Sequence, residues 1–344
     1  MIYFIVQKRS YRTVNKSIVS AASLLVIAFS LQAQPCDTYA FPCARRLMQF
    51  LTDTSGQSVI TGQMDSISDD SVDMADRIYK STGKYPALMG YDFMNMRSSM
   101  QNGTRQTEEA ASWWARGGIV LFTHHWRDPT DRNRETASPY AKDTMFRIPY
   151  DTAAGKWRSA ENGYKEHRAY DAMMSDLYRI AEKLLVFQMN AVPVIWMPLP
   201  EADSGLYWWS ADGPEAYKAL YRLIYVFFTK TEGIHNLVWV WSGQKTAWYP
   251  GDDYADVVGC DISDVPRYYG SQYSLYLSAQ KTGKTRSGGR KLCAVTMCSV
   301  IPSPDAAVAD KAAWSWFMLK SDSGADAKRN YWSGEYYNES SHKR

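Results

Sequence analysis

Glu201 stands where an apolar run breaks. The stretch Val194-Ile195-Trp196-Met197 leads into Pro198-Leu199-Pro200, the carboxyl follows, and Ala202-Asp203-Ser204-Gly205 turns the chain toward Trp208 and Trp209. A carboxyl group at the end of a buried segment, bordered by aromatic side chains, suits acid–base chemistry on a ligand with apolar faces and many hydroxyls. Sugar rings fit that description. Gln63, Asp92, His125 with Trp126, Trp241 with Ser242, Asp261, Met297 and Trp316 also fall at or near the ends of apolar runs. Each has a plainer reading: Asp92 as a helix cap, His125 as a satisfied core histidine, the indoles as filling. Their joint placement is more informative than any single member.

Those residues need a scaffold that gathers strand ends. Eight short apolar or β-branched runs occupy residues 58–63, 87–93, 118–126, 191–198, 237–242, 257–262, 292–297 and 313–319. Runs of this kind suit strands buried on both faces of a parallel sheet. Between them, Tyr170, Met173, Met174, Leu177, Ile180, Ala181 and Leu184 recur at helical spacing. Pro214 is placed to open another helix, with Glu215 near the positive end of its dipole, and Tyr217, Leu220, Tyr221, Ile224 and Phe228 form its buried stripe. Strands alternating with helices over this length predict a single (β/α)₈ barrel, an α/β fold whose chemistry sits at the C-terminal ends of its strands. An open doubly wound sheet is the competitor. Neither G-x-G-x-x-G nor G-x-x-x-x-G-K-[ST] occurs, so its nucleotide-binding forms lose support.

The chain's 39 basic and 36 acidic residues leave a net charge of +3, which argues against a nucleic-acid partner. The 13 Trp and 24 Tyr are an unusually large aromatic complement. Residues 1–33 read as an export signal. Lys8, Arg9, Arg12 and Lys16 flank an apolar stretch from Ile18 to Phe29, and cleavage is expected after Ala33. That predicts a secreted, periplasmic or cell-surface protein whose barrel domain spans residues 34–344. In such a setting Cys36 and Cys43 are close enough in sequence to pair, and the odd count of 5 cysteines leaves a free or intermolecular thiol. No spacing suggests a metal site, no cofactor is expected, and a monomer is the expected state.

The ordered blocks along the chain resemble glycoside hydrolase family 26, chiefly endo-β-1,4-mannanases. The resemblance rests on Gly62-Gln63, Pro86-Ala87-Leu88-Met89-Gly90-Tyr91-Asp92, Gly117-Gly118-Ile119-Val120, and His125-Trp126 with Pro129. It continues through Pro198-Leu199-Pro200-Glu201 with Trp208-Trp209, Gly233-Ile234-His235-Asn236-Leu237-Val238-Trp239-Val240-Trp241-Ser242 and Tyr249-Pro250-Gly251-Asp252-Asp253-Tyr254. Asp256-Val257-Val258-Gly259-Cys260-Asp261 and Ala313-Trp314-Ser315-Trp316-Phe317-Met318 complete it. The resemblance implies a retaining mechanism, with two carboxyls about 5–5.5 Å apart. Glu201 takes the acid/base position. The nucleophile of a family motif like A-L-T-E-V-G falls at Met297, within Ala294-Val295-Thr296-Met297-Cys298-Ser299. The resemblance also implies that Met197 replaces an Arg, Pro200 a His, Leu206 a sugar-site Trp, and Ser263 the Tyr that holds the nucleophile.

A thioether cannot serve as that nucleophile. The favoured expectation is a carbohydrate-binding protein for β-mannan or a related β-glycan, with ordinary retaining hydrolysis lost. Gln63, Asp92, His125, Trp126, Trp208, Trp209, Trp241 and Trp316 are its expected binding residues. The alternative is an active divergent glycosidase that uses Glu201 as acid and Asp261 as substitute base. An inverting pair tolerates about 6.5–9.5 Å between its carboxyls.

Overall fold

A computed structural model of the chain describes residues 34–66, 73–96, 102–133, 137–262, 273–299, 301 and 304–320. The expected leader, residues 1–33, and Ser263 lie outside them. Eight parallel strands close a barrel: β1 (Ile60–Met64), β2 (Leu88–Asp92), β3 (Ile119–Thr123), β4 (Val194–Met197), β5 (Leu237–Ser242), β6 (Val257–Ile262), β7 (Leu292–Cys298) and β8 (Trp316–Leu319). Each pairs with its neighbours in sequence, and β8 returns to β1 through Ile60 opposite Trp316 and Gln63 opposite Leu319. All eight expected runs overlap a barrel strand, with β1 and β7 each running one residue past theirs. The fold is the (β/α)₈ barrel.

The alternation of side chains along the strands makes two cores. Inside, Ile60, Met64, Leu88, Leu121, Ile195, Met197, Val238, Val240, Val257, Ala294, Met297, Trp316 and Met318 fill the barrel. Leu47, Met48 and Leu51 of α1 (Pro42–Thr54) join that cluster. The Phe41 N–H donates to the His235 carbonyl (2.7 Å), just ahead of β5, so α1 covers the N-terminal end of the barrel. The opposite end is left for ligands. Outside, the other strand residues pack against the helices. In α4 (Arg168–Met189), Met173, Leu177, Ile180, Ala181 and Leu184 are buried as their spacing predicts. In α6 (Gly213–Val226), Pro214 lies in the first turn and Tyr217, Leu220, Tyr221 and Ile224 are buried. Phe228 falls one step beyond, in a π-helical turn over Phe227–Thr231.

One irregularity shapes the mouth. Between β6 and β7 the register slips: Cys260 pairs with Val295, but Asp261 pairs with Met297. Thr296 is the extra residue of a bulge, which re-aims side chains locally. The Thr296 hydroxyl therefore reaches Asp261, while Met297 joins the interior cluster. Gly259 makes the room, because a Cβ there would lie 2.2 Å from Thr296 Cγ2.

The cysteines correct one expectation. All five are buried thiols, and Cys36 and Cys43 form no disulfide. The Cys36 backbone is instead anchored by its N–H on the buried Asp256 carboxylate (2.5 Å), and the same carboxylate accepts from the Trp239 N–H (2.7 Å).

Overpacking at the mouth should be costly. Gly259→Ala is expected to lower stability by about 1–3 kcal/mol, since the new methyl must displace Thr296. Urea denaturation measures this; an unchanged midpoint would mean that Thr296 has no fixed place over residue 259.

Candidate active site

The strand that ends at Met197 hands the chain to a clamped segment. Tyr217 O–H donates to the Leu199 carbonyl (3.1 Å) and Trp209 Nε1–H to the Pro200 carbonyl (2.9 Å). The Ala202 N–H donates to the Ser242 carbonyl (2.9 Å), and the Ser204 N–H to the Glu201 carbonyl (3.1 Å). Between these ties Glu201 adopts φ +53°, the left-handed region that a side chain with a Cβ rarely enters. A non-glycine residue held there marks a position that its surroundings over-determine. The Glu201 side chain is buried and meets Lys320, with Nζ 3.4 Å from Oε1.

Lys320 was not among the residues singled out in the sequence. It follows β8 directly and continues the inward parity of Trp316 and Met318. A lysine two positions after inward-facing residues, at the C-terminal end of a barrel strand, is the signal that could have found it.

Asp261, at the end of β6, is the second carboxylate. One oxygen accepts from the Ser242 hydroxyl and the other from the Thr296 hydroxyl (2.9 Å); Thr296 and Ser242 are themselves 3.1 Å apart. Ser242 Oγ also accepts weakly from the Glu201 N–H (3.4 Å). Burial pushes the Asp261 carboxyl up to about 6, the negative charge of Glu201 adds to the rise, and the two hydroxyls and Lys320 oppose it. Glu201 and Asp261 therefore share one electrostatic environment, with Lys320 acting on both.

The third element is an oriented imidazole. Asp92 ends β2, caps the short 3₁₀ turn Phe93–Asn95 through the Met94 N–H (2.8 Å), and accepts from His125 at both the backbone N–H (3.1 Å) and Nδ1 (2.5 Å). The capping reading of Asp92 thus holds, and the same carboxylate orients His125. Burial works against the His125 cation, but the charge and hydrogen bond of Asp92 outweigh it and raise its pKa. Glu201 adds to that rise and Lys320 opposes it, so His125 lies in the same field. Gln63 is fully buried at the end of β1; its Nε2 donates to the Met64 carbonyl (2.6 Å), and Oε1 has no hydrogen-bond partner among the described residues.

The indoles take other places than expected. Trp126 and Trp208 are fully buried ties: Trp126 Nε1–H donates to Asp176 of α4 (2.8 Å), and Trp208 Nε1–H to the Trp126 carbonyl (2.5 Å). Trp209 is the fully buried clamp on Pro200. Trp241 does not line the opening. It belongs to the layer between barrel and helices, edge-on to Tyr249 at 5.3 Å, because its neighbour Ser242 takes the inward position. Trp316 begins β8 rather than ending it, and lies opposite Ile60 in the barrel interior. None of the five indoles offers a ring face to solvent in this arrangement. In Trp126, Trp208 and Trp209 the expected stacking surface is replaced by hydrogen-bonded support.

The closed parallel barrel thus gathers two buried carboxylates, an Asp-held imidazole and a lysine at its C-terminal mouth. The sequence profile of glycosyl hydrolase family 26 matches residues 37–341, and the chain belongs to that family. It is similar to a mannan endo-1,4-beta-mannosidase of Thermothelomyces thermophilus, at 33% identity over 81% of this chain and 55% of the relative. A mannan endo-1,4-beta-mannosidase of Bacillus subtilis strain 168 shares 27% identity over 76% of this chain and 75% of the relative. The chain spans about half the length of the first of these and of the Piromyces relatives. Among solved structures, it superposes on the Podospora anserina GH26-CBM35 beta-(1,4)-mannanase with TM-score 0.73 and 28% identity, over 89% of this chain and 66% of that one. It superposes equally well (0.73, 26% identity, 90% and 94% coverage) on a beta-mannanase from a symbiotic protist of the termite Reticulitermes speratus, a structure complexed with gluco-manno-oligosaccharide.

The pH dependence follows from Asp261. Its pKa in the folded chain lies above the roughly 3.9 of an unfolded Asp. The stability tied to its neutral form is therefore fully present below about pH 4 and lost as pH rises through about 6. Asp261→Asn should gain about 1–3 kcal/mol on the wild type between pH 4 and pH 7. Urea midpoints for both proteins across that range are the check. Parallel curves would show that Asp261 ionises without penalty.

Proposed function

We propose that this chain binds a β-mannan or a related β-glycan in a family 26 cleft, and that ordinary retaining hydrolysis is lost. The observation that carries the reading is Met297. It lies in β7 opposite Asp261 and packs with the barrel interior, at the position where the resemblance requires the nucleophilic carboxylate. No oxygen of this side chain can attack an anomeric carbon. Glu201 is tied to an ammonium group, Lys320 Nζ at 3.4 Å from its Oε1. Both Asp261 oxygens are engaged by hydroxyls. The glycan class comes from the relatives: those named above are mannan endo-1,4-beta-mannosidases, and one solved neighbour holds a gluco-manno-oligosaccharide. Export through residues 1–33 belongs to the same proposal, because a polysaccharide of that size is met outside the cell.

One observation favours a second reading. Asp261 is a carboxyl pushed up to about 6, and a carboxyl held up in this way can serve as a general acid. In that case Asp261 would hold the proton, the reverse of the role expected of it from the sequence.

Binding and turnover separate the readings. Affinity electrophoresis in mannan should retard the wild-type chain, and chromatography of mannooligosaccharides incubated with it should show no new products. Turnover that Glu201→Gln or Asp261→Asn abolishes would establish the second reading. The seventh strand can be tested directly. Met297→Glu buries a carboxyl and should cost about 1–3 kcal/mol, yet an activated mannoside with a good leaving group should leave a covalent adduct on residue 297, found by mass spectrometry. A folded variant that forms no adduct means that position 297 does not face the anomeric carbon.

A further inference from the structure

With the expected indoles buried, the aromatic surface at the site has to come from elsewhere. Tyr207 lies beside His125, with ring centroids 5.3 Å apart. It stacks on Trp209 at 4.4 Å and 6° on one side, and Tyr140 stacks on it at 5.5 Å and 17° on the other. Tyr207 and Trp209 are buried, but Tyr140 is 41% exposed. The stack therefore runs from the clamp under Glu201 out to solvent and ends on a tyrosine ring.

The backbone holds that ring in place. Tyr140 and Tyr207 form an antiparallel bridge. The Ala141 N–H donates to the Leu206 carbonyl (2.8 Å), and the Trp208 N–H donates to the Pro139 carbonyl (3.1 Å). Ser138 fixes the approach, since its hydroxyl donates to Asp143 (3.0 Å) and accepts from the Tyr140 N–H (3.1 Å). Leu206, 53% exposed, sits across this bridge. A ring held from behind by two others, with its remaining surface in water and an exposed aliphatic side chain beside it, presents a fixed apolar face at little entropic cost.

We propose that Tyr140, with Leu206 at its side, forms an outer sugar-binding subsite of the cleft, and that Tyr140 stacks on the C–H face of a neutral pyranose unit of the bound β-glycan. The proposal rests on the glycan-binding reading above. It places the stacking residue on the connection after β3, outside the segment that carries Glu201. Leu206 itself supplies no aromatic face, so among the described residues here the Tyr140 ring is the aromatic surface presented. Tyr140 lies one ring further from His125 than Tyr207 does, so a ligand too short to leave the centre of the cleft would not reach it.

Calorimetric titration of mannobiose and mannohexaose into the wild type, Tyr140→Ala and Tyr140→Phe is the test. Tyr140→Ala should weaken mannohexaose binding by about three- to tenfold, the scale of one aromatic stacking contact. Its affinity for mannobiose should stay at the wild-type value. Tyr140→Phe keeps the ring and should bind mannohexaose as the wild type does. Thermal melts of the three proteins show whether the loop survives the change. Unaltered mannohexaose affinity in a folded Tyr140→Ala variant overturns the subsite. Equal losses for both ligands overturn it as well, because they assign Tyr140 to supporting Tyr207. If the wild type binds neither sugar, the glycan-binding reading fails and the subsite with it, an outcome distinct from the other two.

Discussion

A carboxylate buried at the mouth of a barrel must be satisfied, and Asp261 is satisfied by two hydroxyls from the strands on either side of it. Ser242 ends β5 and Thr296 belongs to β7, so this single group joins three strand ends. The cost of leaving such a group without partners is several kcal/mol. That cost accounts for the local irregularities as a set. Thr296 reaches Asp261 because the β7 register slips at that point, and the slip fits because residue 259 has no side chain. Met297 is then brought round to the interior. The interior placement of Met297 and the hydrogen bonding at position 261 are consequences of one bulge.

The charges of the site are arranged in pairs. His125 is matched by Asp92 at 2.5 Å, and Glu201 by Lys320 at 3.4 Å. Asp261 relies on neutral donors among the described residues, and its acidity is weakened. The charge of Glu201 contributes to that weakening, and Lys320, just after β8, opposes it while also meeting Glu201. The site therefore combines repulsion between two carboxyls with attraction to one ammonium group, an arrangement that can hold a polar ligand in a fixed orientation.

The barrel was legible in the sequence because burial on both faces writes itself as uninterrupted apolar runs. Each run overlapped a strand, and the helical stripes of α4 and α6 appeared as spaced. The site was legible in part. Asp92, His125, Glu201 and Asp261 came together because they follow or end strands, which a barrel forces to one end. The aromatic residues misled, and for a physical reason. Sequence shows that a tryptophan lies near a strand end but not which way its ring turns, and a shift of one residue moves a side chain from the interior to the helix layer. Trp241 lies one residue before Ser242, and Ser242 took the inward place. Trp316 began its strand, which left Lys320, a residue with no aromatic signal at all, at the mouth. The bulge at Thr296 was invisible for a similar reason: it is specified by a contact with Asp261, 35 residues earlier.

The buried indoles still bear on function, through geometry rather than contact. A glutamate with left-handed φ is costly, by about 1–3 kcal/mol for a non-glycine residue in a rarely populated region. Glu201 keeps that conformation because Trp209 and Tyr217 hold the carbonyls of the two preceding residues while Trp208 is tied to Trp126, which is tied in turn to α4. Four aromatic side chains, with Asp176 behind them, thus fix one carboxylate. On the proposed reading, in which Met197 and Pro200 stand in place of an Arg and a His, the orientation of Glu201 is set from behind by this indole clamp and not by its chain neighbours. A scaffold of that kind can keep the shape of a cleft on which binding depends, whereas retaining hydrolysis would need a second carboxylate that the clamp does not supply.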